Sequence, residues 1–153
     1  YYFDIKVPLV LIGRKTPYFK EVEKYAIEHN IKDRLIVPDS VPNVDLPAIY
    51  QMAKVFIYPS VYEGFGIPVI EAQMSGTPVI TSEYGSTLEA SGGAALLIDP
   101  HNTKSIGIAI KAVFDSARIR NELRDKGFEN VEKFYSKKVT NRLIQIYKDV
   151  IGA

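Results

Sequence analysis

"YPSVYEGFGIPVIEAQMSGTPVI", residues 58–80, sets two glutamates, Glu63 and Glu71, into the most apolar stretch of the chain. The β-branched and aromatic run "VFIY" (55–58) leads into it and "PVIT" (78–81) closes it, each the length of a short strand, while 67–75 between them reads as a helix. Strand, helix, strand at this pitch is the repeating unit of a parallel sheet with right-handed crossovers. Gly64 and Gly66 bracket Phe65 just before Pro68, a residue suited to a first helical turn because its missing N–H would be unpaired there. The loop thus brings backbone N–H groups and the positive end of a helix dipole to one place, a seat for phosphate, although a bare Gly-x-Gly also describes an ordinary tight turn. Glu71 falls one turn into the helix, next to Ile70 and Ala72. An unpaired buried carboxylate is costly, so Glu71 is expected to reach the open end of the sheet, where ribose hydroxyls would suit it. Glu63 is expected to face the same mouth and to accept hydrogen bonds from a polyhydroxylated ligand. The bland alternatives are dipole compensation for Glu63 and an exposed helical face for Glu71.

Working outward, the alternation continues. "VPLVLIG" (7–13) is a continuous apolar run ended by Gly, as expected of a strand covered on both faces, and "RLIV" (34–37) and "ALLI" (95–98) are further strands. Helical periods occupy 17–30, 45–53 and 86–90, and three amphipathic stretches, 103–115, 117–133 and 137–151, close the chain. The last aligns Val139, Leu143, Ile146, Tyr147 and Val150 on one side. The pattern predicts an α/β fold with one parallel sheet of about five strands and helices on both faces. Ligands of such sheets bind at the carboxyl ends of the strands, which directs attention to the loops 13–17, 38–45, 59–68 and 82–93.

Composition narrows the classes. Nineteen Lys and Arg stand against 18 Asp and Glu, a net charge of +1, so charge offers no reason to expect nucleic acid or an anionic membrane as main partner. The ten tyrosines are dispersed and form no aromatic-basic ladder. Zero cysteines exclude a disulfide framework or thiolate metal site and favour a cytoplasmic location. His29 and His101 are far apart with no acids at ligand spacing; they read as a helix-end and a loop or cap residue, and no metal site is expected. Glu122-Lys126 and Glu129-Lys133 are spaced for ion pairs on a solvated helix face. The chain opens without Met and in mid-pattern, "YYFDIKVPLVLIGRK", which reads as the end of a helix followed by a strand and suggests a fragment.

With these residues in place, "EGFGIPVIE" resembles the Glu-x7-Glu signature of retaining GT-B glycosyltransferases of the family 4 type. "LVLIG", the long run from "YQMAKVFIYPS" to "ALLIDP" and the late "FYS" (134–136) follow the order of that family's C-terminal domain, so the likeness covers nearly the whole chain. The resemblance implies a Rossmann-like, nucleotide-sugar donor-binding domain over residues 1–153, with the N-terminal half that holds the acceptor lying outside it. Glu63 would lie by the donor sugar as the catalytic-site carboxylate. The amides of Gly64, Phe65, Gly66 and Ile67 would approach sugar and diphosphate, and Glu71 would hold the ribose. Val41, Pro42 and Asn43 fall where the family cradles the base, and Gly13 ends a strand beside the nucleotide. The family's diphosphate-binding Arg and Lys would precede residue 1; Arg14 and Lys15 follow the next strand, side by side, and read as a solvated loop. Leu88 stands before Glu89 where the family shows Pro, so Glu89 receives no role beyond shaping its loop.

The implied activity is transfer of a mannose- or glucose-like hexose from a nucleotide-diphosphate sugar to a glycan or lipid-linked acceptor with retention, without metal or other cofactor. The fragment alone is expected to be inactive, and any peripheral membrane association falls to the absent half. Two other readings stay open: a nucleotide-sugar epimerase using the same cleft, and a binding-only nucleotide module. A dinucleotide-binding oxidoreductase is disfavoured because no G-x-G-x-x-G follows the first strand.

Overall fold

The computed structural model describes residues 5–152. The helix end expected at the start of the chain lies outside them. Two compact units are present, Tyr1–Leu46 and Pro47–Ala153.

In the first unit, β1 (Leu9–Val10) pairs in parallel with β2 (Leu35–Ile36), joined through α1 (Phe19–Glu28). Both strands are only two residues long, and of the apolar run 7–13 only Leu9 and Val10 enter a ladder. The expectation that this strand is covered on both faces is not met: Leu9 and Val10 are 50% and 41% exposed. A single helix cannot sandwich two strands, and Ala26 on α1 is the one buried apolar side chain of the unit among the described residues.

The second unit is a three-stranded parallel sheet in the order β3 (Phe56–Tyr58), β4 (Val79–Ser82), β5 (Ala95–Ile98). The five strands therefore form two parallel ladders, one in each unit, instead of the single sheet expected. Pleating sends alternate residues of the three-stranded sheet into two cores. Phe56, Tyr58, Val79 and Ala95 join Val69, Ile70, Ala72, Ala90 and Val131 on one face, packed by α3 (Ile67–Met74), α4 (Ser86–Ser91) and the end of α6 (Ala117–Val131). Ile57, Ile80, Leu96 and Ile98 meet Ala109, Val113 and Leu123 on the other, packed by α5 (Thr103–Asp115) and α6. Helices on both faces is thus what this unit builds.

The helix ends follow local chemistry. Asn102 accepts from Ser105 N at 3.0 Å to start α5, and Ser116 accepts from Ile119 N at 3.2 Å to start α6. Arg120 closes the other end of α5, donating to the carbonyls of Val113 and Phe114 at 2.6 and 2.8 Å. On α6 Lys126 pairs with Glu122 as spaced, but the second expected pair does not form. Lys133 instead holds its ammonium 4.9 Å over the ring of Phe134, and Glu129 has no ion pair among the described residues. An exposed i,i+4 pair contributes so little that one aromatic face is sufficient competition. The apolar side of α7 (Ser136–Ile151) remains open, with Leu143 at 49% and Val150 at 78% exposure.

Candidate functional site

The loop from β3 to α3 carries most of the expected residues, and the chemistry of β4 explains its shape. The strand begins Val79-Ile80, as a core strand should, but ends in Thr81 and Ser82, both fully buried. Their hydroxyls have a use: Thr81 Oγ1 donates to the carbonyl of Tyr58 at 2.9 Å and Ser82 Oγ to that of Ser60 at 2.5 Å. Ser86, opening α4, donates to the carbonyl of Glu63 at 2.7 Å. Three hydroxyls from the next strand and helix therefore fix the backbone along which Glu63 is placed.

The Glu63 side chain is held as firmly. Tyr58, the last residue of β3, donates its phenolic hydrogen to Glu63 Oε1 at 2.5 Å, and Ser60 Oγ donates to the same oxygen at 3.0 Å. Oε2 has no protein partner among the described residues. Glu63 lies four residues ahead of Ile67, outside the first turn of α3, and no side chain caps that helix, so dipole compensation as its role is disfavoured.

Glu71 sits one turn into α3, half-buried, and Tyr50 on α2 (Leu46–Met52) donates to its Oε2 at 3.2 Å. Its Oε1 is unpartnered among the described residues. The Tyr50 ring meets Phe56 edge-on at 5.1 Å, and Phe56 stacks with Tyr58 at 5.8 Å, so the two hydroxyls that grip the two glutamates stand on one row of rings. Burial first, then the hydrogen bond to Glu63, pushes the Tyr58 phenol up to about 12. Burial and the neighbouring Glu71 charge raise Tyr50 as well.

Between the glutamates the backbone turns through Gly66, which starts α3 at φ 98°, a left-handed conformation. A Cβ there would lie 3.3 Å from that of Ala90 and 3.4 Å from Thr87, so conformation and close packing against α4 both call for glycine. Gly64 is different: an added Cβ would meet nothing within 4 Å, which leaves its backbone open to approach. The exposed Phe65 turns edge-on to Phe134, 5.8 Å away, and the "FYS" segment thereby braces the loop. None of the backbone N–H groups of Gly64, Phe65, Gly66 and Ile67 has a protein acceptor among the described residues. Four consecutive free donors beside two anchored carboxylates suit a ligand bearing both anionic oxygens and hydroxyls.

The remaining candidates lie in the first unit. Gly13 and Lys15 follow β1 and Val41, Pro42 and Asn43 follow β2, so the parallel pairing brings both loops to one edge of that ladder. Lys15 joins them by an exposed ion pair to Asp39 at 2.6 Å. A Cβ on Gly13 would meet nothing, and no close packing requires glycine there. Glu89 is exposed on α4, His29 caps the end of α1 and donates its Nδ1 hydrogen to the Tyr25 carbonyl at 2.8 Å, and His101 lies in a loop turned by Asp99. Among the described residues no three His, Asp or Glu side chains converge as a metal ligand set, and no helix is long and apolar enough to cross a membrane. A cavity of about 410 Å³ between β5 and α5 is lined by Leu96, Leu97, Ile98 and Ile108 and contains no carboxylate. It is not the site.

Sequence reading missed Tyr50, Tyr58, Ser60, Thr81, Ser82 and Ser86. The available signal was the run of hydroxyls at the end of an otherwise Val-Ile strand, next to the loop that most needs fixing.

A sequence profile described as "Glycosyl transferases group 1" matches residues 4–130. The chain is 36% identical over 108 residues to O-antigen chain mannosyltransferase B of Escherichia coli, covering 71% of this chain and 28% of that protein. It is 31% identical over 150 residues to the MMP alpha-(1->4)-mannosyltransferase of Mycolicibacterium hassiacum, covering 95% and 36%. The chain thus spans about a third of the length of these relatives. Among solved structures, sucrose-phosphate synthase from Thermosynechococcus elongatus superposes with a TM-score of 0.82 at 26% identity, over 94% of this chain and 38% of that one. Anabaena Alr3699/HepE, solved in complex with UDP and glucose, shares the fold with a TM-score of 0.85 at 16% identity, over 97% and 42%.

Proposed function

Because the chain belongs to the glycosyl transferases of group 1, we propose that it is the donor-binding part of a retaining enzyme of the family 4 type. That enzyme moves a mannose- or glucose-like hexose from a nucleotide-diphosphate sugar to a glycan or lipid-linked acceptor, in the cytoplasm. The observation that carries the reading is the set of four unpaired N–H groups, Gly64 to Ile67, flanked by Glu63 and Glu71, each with one carboxylate oxygen anchored and one open.

Transfer requires a departing diphosphate and an oxocarbenium-like sugar to be stabilised together. Directed amides and the N-terminal end of α3 meet the charge that develops on the diphosphate oxygens, at no reorganisation cost when they are already free and fixed. The open oxygen of Glu63 accepts from sugar hydroxyls and so orients the anomeric carbon, while that of Glu71 accepts from the ribose and sets the register of the whole donor. No metal is called for in this scheme. Acceptor binding and closure of the cleft fall to the rest of the longer protein.

Calorimetric titration of the chain with UDP, GDP and ADP tests the assignment. One of the three is expected to bind, weakly, and Glu71→Ala to abolish that binding. If none binds, or the substitution changes nothing, the donor-site reading is wrong.

A further inference from the structure

Each glutamate of the site is gripped through one oxygen by a tyrosine hydroxyl, Glu63 by Tyr58 at 2.5 Å and Glu71 by Tyr50 at 3.2 Å. The two tyrosines reach the site from different elements, α2 and β3, yet Phe56 joins them into one row, 5.1 Å from Tyr50 and 5.8 Å from Tyr58. Phe56 and Tyr58 are alternate residues of a paired strand, so the row is tied to the sheet backbone through β3 and β4. Thr77 ties the other end, donating to the Tyr50 carbonyl at 2.6 Å.

A phenolic O–H has one hydrogen to give, and giving it to a carboxylate oxygen decides which oxygen remains for a ligand and at what angle. We propose that Tyr50 and Tyr58 are positioning residues of the donor site: Tyr50 sets Glu71 for the nucleotide, and Tyr58, with Ser60, sets Glu63 for the sugar. This rests on the donor-site reading given above. Both phenols are shifted away from ionisation, so they stay donors across the neutral range.

Tyr→Phe removes the hydroxyl and keeps the ring row, which separates positioning from packing. Titrations with UDP, GDP and ADP and with UDP-glucose, GDP-mannose and ADP-glucose are compared for the wild-type chain, Tyr50→Phe, Tyr58→Phe and Tyr58→Phe/Ser60→Ala. Tyr50→Phe is expected to weaken nucleotide and nucleotide sugar alike by roughly ten-fold, the low end for one charge-assisted hydrogen bond. Tyr58→Phe is expected to leave the bare nucleotide unchanged and to lose part of the tighter binding contributed by the sugar, and the double substitution to lose the rest.

If the wild-type chain binds and Glu71→Ala abolishes binding, but both Tyr→Phe variants bind as wild type, the positioning role is overturned and the donor-site reading stands. If both variants lose all ligands equally, in step with a fall in melting temperature, the tyrosines are structural only and the proposal is again overturned. A wild-type chain that binds none of the six ligands overturns the donor-site reading and the proposal with it.

Discussion

At the scale of single residues, the site is a matter of where hydrogens are given. Glu63 and Glu71 were legible from their place in an apolar run, because an unpaired carboxylate there needs a reason. The tyrosines that hold them were not legible, since Tyr50 and Tyr58 sit at positions any apolar residue could fill and their hydroxyls matter only once the chain has folded. The Tyr58 phenol, ordinarily 10.0 and here about 12, carries a sign that is checkable. A group raised on folding contributes stability that is whole below the unfolded value, so the contribution should hold up to pH 10 and vanish as pH rises towards 12. Alkaline unfolding of Tyr58→Phe should therefore be shallower over that window than wild type; identical curves would show that Tyr58 is not shifted. Gly66 gives a second test at this scale. Gly66→Ala should cost more than the ~1 kcal/mol that a mere change of backbone freedom brings, because φ of 98° and the 3.3 Å approach to Ala90 both oppose a Cβ. Denaturant titration measures it, and Gly64→Ala, with nothing near, serves as the contrast.

At the scale of elements, the strand and helix alternation was readable because hydrophobic periods report it directly, and the segments expected at 55–58, 67–75, 78–81 and 103–115 are found as β3, α3, β4 and α5. What periods do not report is a buried polar clip. Asn130 on α6 donates to Gln73 on α3 at 2.7 Å and to the Ala90 carbonyl at 2.8 Å, and Gln73 donates in turn to the carbonyls of Ser91 and Ala94 at 3.0 and 3.3 Å. Both side chains are buried, although nothing in the sequence marks their amides as interior. The clip fixes the site helix against the helix that precedes β5, and Gly92 makes room for it: a Cβ there would fall 1.9 Å from Asn130 Oδ1. Asn130→Leu should cost about 1–3 kcal/mol by stranding the Gln73 and Ala90 acceptors. Thermal or chemical unfolding checks the figure, and a neutral result would mean that the clip contributes nothing to holding α3.

At the scale of the molecule, the two units are unequally built. Among the described residues, all but one of the buried apolar side chains lie in the second, in two cores either side of its sheet. Amides of β4, β5 and α6 should accordingly exchange with deuterium most slowly, and those of β1 and β2 among the fastest; the reverse order would contradict the packing described. The short apolar run 7–13 announced a strand but not its exposure, because covering is a property of neighbours that a run of Val, Leu and Ile does not encode. The central claim is a division of labour, with Glu71 for the nucleotide and Glu63 for the sugar. Its most direct test is calorimetry of Glu63→Ala and Glu71→Ala with whichever nucleoside diphosphate binds and with that nucleotide's hexose conjugate. Glu71→Ala is expected to weaken both ligands, whereas Glu63→Ala spares the bare nucleotide and erases the difference between the two. Equal losses from either substitution, or a sugar increment untouched by Glu63→Ala, would contradict it.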